Sequence, residues 1–337
     1  MSQATATDEF RNSFQVHSAD GTPLRLWVGG DGPPIVLVHG SFTDHRAWAV
    51  PATELNRHFT TFAMDRRGFG GSGDAAEYSI ERDFDDVSAV VKAASVRSGQ
   101  SVVLWGHSYG ANCAMGGASI SRDVHRLVLY EPSLGLRYPV GAIEEAEAAL
   151  AAGDWEKAVV RMLLDILDMS QEEIDALRSS ARWPQILAGA DTAPRECRVE
   201  EAWEYVPGQF VGIDASTLLL SGGESPASVK EATDRAADAI PNARIHLFGR
   251  SRPFRSPSRP CDGRLDHPRI LVVIATSGQH GLVHIRVVVL SSRAESADLG
   301  RCRMWAVSPR DQLICAGRVD DFPGDQGSQR SMVMAST

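Results

Sequence analysis

The chain has 337 residues, 43% hydrophobic and 23% charged, with a formal net charge of −9. This composition suffices for a substantial core, and the acidic balance excludes the basic footprint that a nucleic-acid partner requires. The polar start MSQATATDEF lacks the apolar stretch of a signal peptide, and runs such as ILVVIA are too short to cross a bilayer. Five widely spaced cysteines form neither a disulfide framework nor a CxxC metal pattern. The expectation is a soluble cytoplasmic protein with reduced thiols, acting on a small molecule, with no nucleic-acid or membrane partner and no metal.

Taken in chain order, PIVLVHG (34–40) and TTFAMD (60–65) are short apolar runs that each end in a polar or glycine turn. SVVLWGHS (101–108) and RLVLYE (126–131) repeat that design. Continuous apolar strands suit a parallel sheet buried on both faces. Between them, Glu81 to Ser98 puts Phe84, Val87, Val91 and Ala94 on one helical face. Alternating strands and helices predict an α/β fold with a mostly parallel, doubly wound sheet. From Ser133 to Gly212 the strand signals stop, and stretches such as VGAIEEAEAAL read as amphipathic helices inserted between two strands. Sheet patterning resumes with STLLLSGG (216–223), a helix after Pro226, and ARIHLF (243–248). Beyond that the composition changes: residues 1–249 carry a net charge of −14 and residues 250–337 a net charge of +5. A break of that size marks a boundary.

Gly106-His107-Ser108-Tyr109-Gly110 matches G-x-S-x-G, in which a serine sits on a strained turn between strand and helix. Small residues two positions to either side let the chain bend that tightly and expose the hydroxyl. The context agrees, with an apolar strand before and the helical ANCAMGGASI after. Ser108 is therefore the candidate nucleophile, against the bland reading of a solvated serine in a glycine turn. LVHGSF (37–42) follows a buried strand and should lie beside it, so that the Ser41 and Tyr109 N–H groups form an oxyanion hole. The bland reading of His39-Gly40 is a strand-ending turn. In MDRRGFGGSGD (64–74), Gly68, Gly70 and Gly73 spell a dinucleotide fingerprint, but the run sits mid-sheet and leads into DAAEYS rather than a helix. No cofactor is expected.

HGSF, D-R-R-G-x-G-G-S, GHSYG and the helical insertion together resemble the α/β-hydrolase fold superfamily, in particular its small bacterial cofactor-free serine esterases. The resemblance covers residues 20–249. It implies an α/β-hydrolase core at 1–132 and 213–249, a helical cap or lid at 133–212, and hydrolysis of a small-molecule ester or related acyl bond. It also implies the chain order serine, acid, histidine. The usual acid follows the strand at 217–222, where Ser225 stands in place of the aspartate and Glu224 lies one residue early. The family's other acid position, after the preceding strand, is Glu131, 23 residues beyond Ser108 as in haloalkane dehalogenases. Glu131 is the preferred acid and Glu224 the alternative; a strand-end carboxylate capping backbone N–H groups is the bland reading of Glu131.

The histidine is missing from its expected place. The family has a Gly-His turn after the strand that here is ARIHLF, and then a closing helix. Instead comes RSRPFRSPSRPCDGRLDHPRI, in which 13 of 21 residues are Arg, Ser or Pro. Proline at this density forbids a helix. His246 falls inside the strand, and His267, His280 and His284 are bases only if the irregular tail at 250–337 folds back. A shifted reading frame explains the break in charge, composition and motif together: Arg250-Ser251-Arg252 written CGG TCA CGT becomes Gly-His-Val when the first base is skipped. A lineage-specific extension, with VVIAT and IRVVVL as extra strands, is the other reading. Three functional readings follow: a working hydrolase, a defective one, and a non-catalytic small-molecule binder that has lost the triad.

Overall fold

A computed structural model describes residues 9–180, 182–223 and 225–248, together with four short strands further on. Eight strands form one sheet: β1 (Asn12–His17), β2 (Pro23–Gly29), β3 (Pro34–Val38), β4 (Thr60–Met64), β5 (Val102–His107), β6 (Val124–Tyr130), β7 (Ser216–Gly222) and β8 (Arg244–Phe248). Their order is β1-β2-β4-β3-β5-β6-β7-β8. The β1–β2 and β2–β4 pairs are antiparallel, and every pair from β4 to β8 is parallel. Sequence explains the contrast: PIVLV of β3 is buried at every position, whereas NSFQVH of the edge strand β1 has no buried residue.

Helices cover the sheet. α1 (Ala49–Leu55) follows a 3-10 turn at His45–Trp48, and α2 (Ile80–Ser98) begins at Ser79, whose side chain accepts from Arg82 N–H. The expected apolar face of α2 is buried, with Val90 added to it. α3 (Tyr109–Ile120) is buried at ten consecutive positions from Tyr109 to Ala118. It packs so closely on α2 that a Cβ on Gly116 would lie 1.9 Å from the Phe84 ring.

Between β6 and β7 lie α4 (Ala142–Ala151), α5 (Trp155–Asp165), α6 (Gln171–Arg178), α7 (Trp183–Ala188) and α8 (Thr192–Ala202). They enclose an apolar cluster of their own around Ile143, Met162, Leu163, Ile174 and Ile186, and Phe42 from the loop after β3 is part of it. The insertion is therefore fastened to the sheet by a residue adjoining Ser41. After β7 comes α9 (Ala227–Ala239), which starts directly behind Pro226 as the sequence predicts.

The insertion is also fastened by buried charge. Glu200 of α8 accepts from Asn112 Nδ2 of α3 at 2.7 Å, and from the Ser133 and Tyr138 hydroxyls. Glu196, one turn earlier, forms an ion pair with Arg66 Nη1 at 2.5 Å. Arg67 is held separately, by Asp86 at 2.6 and 2.7 Å and by Asp20 at 3.0 Å. Among the described residues no helix is long and apolar enough to cross a membrane.

Further along the chain, β9 (Val272–Ile274) pairs antiparallel with β10 (Val287–Val289), and β11 (Met304–Val307) with β12 (Leu313–Ala316), in a second compact unit. The first pair falls within VVIAT and IRVVVL. Glu224, His267, His280 and His284 lie outside the described residues.

Burial raises the Glu200 carboxyl to about 7, against the pull of its Ser133, Tyr138 and Asn112 hydrogen bonds, and raises Asp83 to about 6. A folded-state value above the unfolded one means stability present at low pH that is lost as pH rises through the folded value. For Glu200 the loss falls between its ordinary value of 4.5 and about 7, and a shift of that size corresponds to about 3 kcal/mol. Glu200→Gln should remove that loss, so that in denaturant unfolding the variant gains on the parent chain from about pH 4.5 to about pH 7 and holds a constant lead above it. Parallel curves for the two proteins would show that Glu200 ionises freely.

Candidate active site

The sharpest feature of the backbone is at Ser108, where β5 hands over to α3 with φ 55° and ψ −129°. A non-glycine residue is strained there and persists only where its surroundings over-determine it. They do so here. Ser108 N–H donates to Tyr130 O at 2.9 Å, and Ser108 O accepts from Ala111 N–H at 2.8 Å. A Cβ on Gly106 would lie 2.3 Å from Gly110 O, and one on Gly110 would lie 2.2 Å from His39 O. The spacing of the two glycines around the serine is thus a packing requirement. Gly40 is equally close, since a Cβ there would lie 3.0 Å from Ser108 Cβ. The loop after β3 therefore abuts the serine, as its sequence position leads one to expect.

His39 is a fixture of that loop. Its Nε2 accepts from Arg66 N–H at 3.0 Å, so the proton sits on Nδ1, which donates to Gly40 O at 2.7 Å. Burial, reinforced by the Arg66 charge, lowers its pKa to about 3, which keeps the ring neutral. Arg66 is fully buried and donates from Nε to His39 O at 2.9 Å and from Nη2 to Gly40 O at 3.1 Å. Its guanidinium lies between the rings of Phe69 and Tyr109, 4.8 and 4.9 Å from their centroids.

Glu131 follows β6 with φ 47°. Its Oε1 accepts from Gly222 N–H at 2.8 Å and from the Ser225 hydroxyl. A carboxylate from the end of β6 thus reaches the turn after β7, where the family resemblance puts an aspartate and this chain has Ser225. His107 stacks on Tyr130 with ring centroids 4.9 Å apart. Burial lowers its pKa, opposed by the Glu131 charge and assisted by Arg182. His246 lies in β8 opposite Leu220, and burial lowers its pKa. A histidine following β8 would fall beyond Phe248, outside the described residues.

Several groups meet here that no local sequence pattern brings together. Asp44, His45 and Asp65 converge with ligand-type atoms within 4.8 Å of one another. Asp65 accepts from Trp27 Nε1, Gly71 N–H, His45 N–H and His45 Nδ1, all at 2.7–2.9 Å, while His45 Nε2 is buried without a hydrogen-bond partner among the described residues. Asp44 is engaged by Arg46. This arrangement locks the D-R-R-G turn, and we assign it no metal. Asp83 accepts from the Tyr78 and Tyr109 hydroxyls at 2.7 and 3.0 Å. Arg66, Asp83 and the Glu196–Glu200 pair of α8 come from three separate stretches of chain, and no local pattern signals that they meet.

Residues 35–262 match the model of a family described as the alpha/beta hydrolase family. The chain is 28% identical over 245 residues to a 2-hydroxymuconate semialdehyde hydrolase of Pseudomonas sp. (strain CF600), covering 68% of this chain and 84% of that one. It is 27% identical over 248 residues to a 2-hydroxy-6-oxo-2,4-heptadienoate hydrolase of Pseudomonas putida, covering 69% and 86%. Among solved structures, an alpha/beta hydrolase from Sphaerobacter thermophilus matches with a TM-score of 0.63 and 30% identity, over 72% of this chain and 95% of that one. With the sheet order, the strained turn at Ser108 and these relatives in agreement, this chain belongs to the alpha/beta hydrolase family.

Proposed function

We propose that the chain carries the chemistry of a serine hydrolase acting on an ester or related acyl bond of a small molecule. Ser108 attacks the carbonyl carbon, the displaced electron pair settles on the carbonyl oxygen, and the Ser41 and Tyr109 N–H groups hold that oxyanion. The triad histidine takes the Ser108 hydroxyl proton and gives it to the leaving oxygen as collapse breaks the acyl–oxygen bond and expels the alcohol. Water, giving its proton to the same histidine, then attacks the acyl carbon, and the acid leaves as the proton returns to Ser108. Glu131 is the acid of the triad, with Glu224 as the alternative, and it orients a histidine to which no position in the chain is assigned. The helices between β6 and β7, residues 133–212, act as the cap that shapes the pocket, on a core formed by 1–132 and 213–249.

The observation that carries this reading is the backbone of Ser108, held at φ 55° between β5 and α3 with Gly40 against its Cβ. Strain of this kind clusters at functional sites. Glu131 is favoured as the acid because its carboxylate is bonded to both Gly222 N–H and Ser225. The substrates named for the two Pseudomonas relatives, a semialdehyde and an oxo-acid, are small carbonyl compounds. They define the second class of electrophile to test beside simple esters.

Ser108→Ala should reduce turnover of p-nitrophenyl acetate and of a 2-hydroxy-6-oxo-dienoate by about 10⁴-fold or more, to background. Turnover that survives the substitution refutes the nucleophile, and tight binding without turnover by the parent chain favours the non-catalytic binder. Glu131→Gln should lower kcat by about 10³- to 10⁴-fold, as loss of the triad acid does elsewhere. A variant within twofold of the parent would send the role to Glu224. Alanine at His267, His280 and His284 in turn tests the base. The nucleotide sequence across codons 240–337, read in three frames, tests the shifted-frame reading of the tail.

A further inference from the structure

Arg66 touches both halves of the proposed oxyanion hole without itself lining it. The Gly40 carbonyl and the Ser41 N–H belong to one peptide unit. In a planar trans peptide these groups point in opposite directions, so whatever fixes the carbonyl oxygen fixes the line along which the N–H points. Two donors fix it here, Arg66 Nη2 at 3.1 Å and His39 Nδ1 at 2.7 Å. Arg66 Nε holds the preceding carbonyl, His39 O, at 2.9 Å, and Arg66 N–H holds the His39 ring at 3.0 Å. The second oxyanion donor belongs to Tyr109, whose ring lies against the same guanidinium. A cationic donor on a carbonyl also polarises its peptide, which makes the N–H at the other end a stronger donor.

A guanidinium without solvent needs a counter-charge. The nearest carboxylate is not on the sheet but on the insertion: Glu196 Oε1 of α8 lies 2.5 Å from Nη1, while Asp83 Oδ1 is 3.8 Å away. Both acids are almost fully buried. Among the described residues neither Glu196 carboxylate oxygen nor Arg66 Nη1 makes a hydrogen bond, so the two groups meet as an ion pair by proximity. The insertion thereby contributes charge to the loop that carries Ser41, and Phe42, the next residue, packs into the insertion's apolar cluster.

We propose that Arg66 is a positioning residue that aims the Ser41 N–H at the oxyanion, and that Glu196, by balancing its charge, makes that geometry depend on the seating of α8. The inference rests on the hydrolase reading above and deepens it. A chain in which Arg66 served only as a structural ion pair would tolerate any cation opposite Glu196. Lysine supplies that cation, but as a point charge it cannot span two carbonyls and a carboxylate together.

The test compares the parent chain with Arg66→Lys and Glu196→Gln, by thermal unfolding and by steady-state hydrolysis of p-nitrophenyl butyrate. For a folded Arg66→Lys, kcat should fall by about 10- to 100-fold, less than the roughly 10²- to 10³-fold loss of an oxyanion donor removed outright because the Ser41 N–H is misaimed and not deleted, with KM changed by less than about twofold. An unchanged kcat, or a loss confined to KM, overturns the proposal. If Arg66→Lys does not fold, the near-isosteric Glu196→Gln decides: a several-fold fall in kcat at constant KM supports the proposal, and an unchanged kcat overturns it. If the parent chain turns over neither an ester nor a 2-hydroxy-6-oxo-dienoate, the hydrolase reading fails by itself. The anchoring is then judged on the Ser41 amide resonance of nitrogen-15-labelled protein, which Glu196→Gln should displace; an unmoved resonance overturns it.

Discussion

Three backbones meet within van der Waals distance at Ser108, and most of the architecture around the candidate site follows from that contact. The end of β5, the start of α3 and the loop after β3 approach so closely that a single Cβ on Gly106 or Gly110 would overlap a carbonyl oxygen. Removing side chains at those positions lets the chain reverse with Ser108 at the apex, where φ is positive and the side chain stands clear of its own strand. The sheet supplies the rigidity. β5 lies between β3 and β6, each paired with it in parallel, so the strained residue is flanked by continuous backbone hydrogen bonding.

Buried charge organises what surrounds that contact. The D-R-R-G run after β4 divides its labour: Asp65 ties its own turn to Trp27 and His45, Arg66 ties the loop after β3 to α8, and Arg67 ties the turn to α2 through Asp86. Each group is inaccessible to water and answered by a partner of opposite sign or by backbone, as low-dielectric burial demands. Glu200 departs from this pattern, bonded to two hydroxyls and an amide rather than to a cation, and burial accordingly pushes its pKa up to about 7. The insertion is held to the sheet partly by a carboxyl group whose protonation changes near neutrality.

Legibility from sequence followed the range of the interactions. Strands β3 to β8, helix α2 and the Ser108 turn are readable because each is specified within a dozen or so neighbouring residues, by an apolar run, a helical period or a glycine spacing. The position of Glu131 is readable only with the family resemblance, and its bonds to Gly222 and Ser225 emerge from the pairing of β6 with β7. Arg66 stands in a recognisable motif, whereas nothing in that motif names its partners. Glu196 lies 130 residues away along the chain, in a helix whose own pattern predicts only that it is amphipathic.

The sequence by itself determined the strand-and-helix alternation, the site of the strained serine, the presence of a helical insertion and the break in composition near residue 249. These depend on periodicity, residue size and charge, which are local properties. Only the tertiary structure decided which carboxylates meet which cations, that Arg66 holds the Gly40 carbonyl, and that α8 contributes to the loop bearing Ser41. Those contacts arise when distant segments are brought together by sheet order and helix packing, and a buried ion pair has no sequence period by which it could be read in advance.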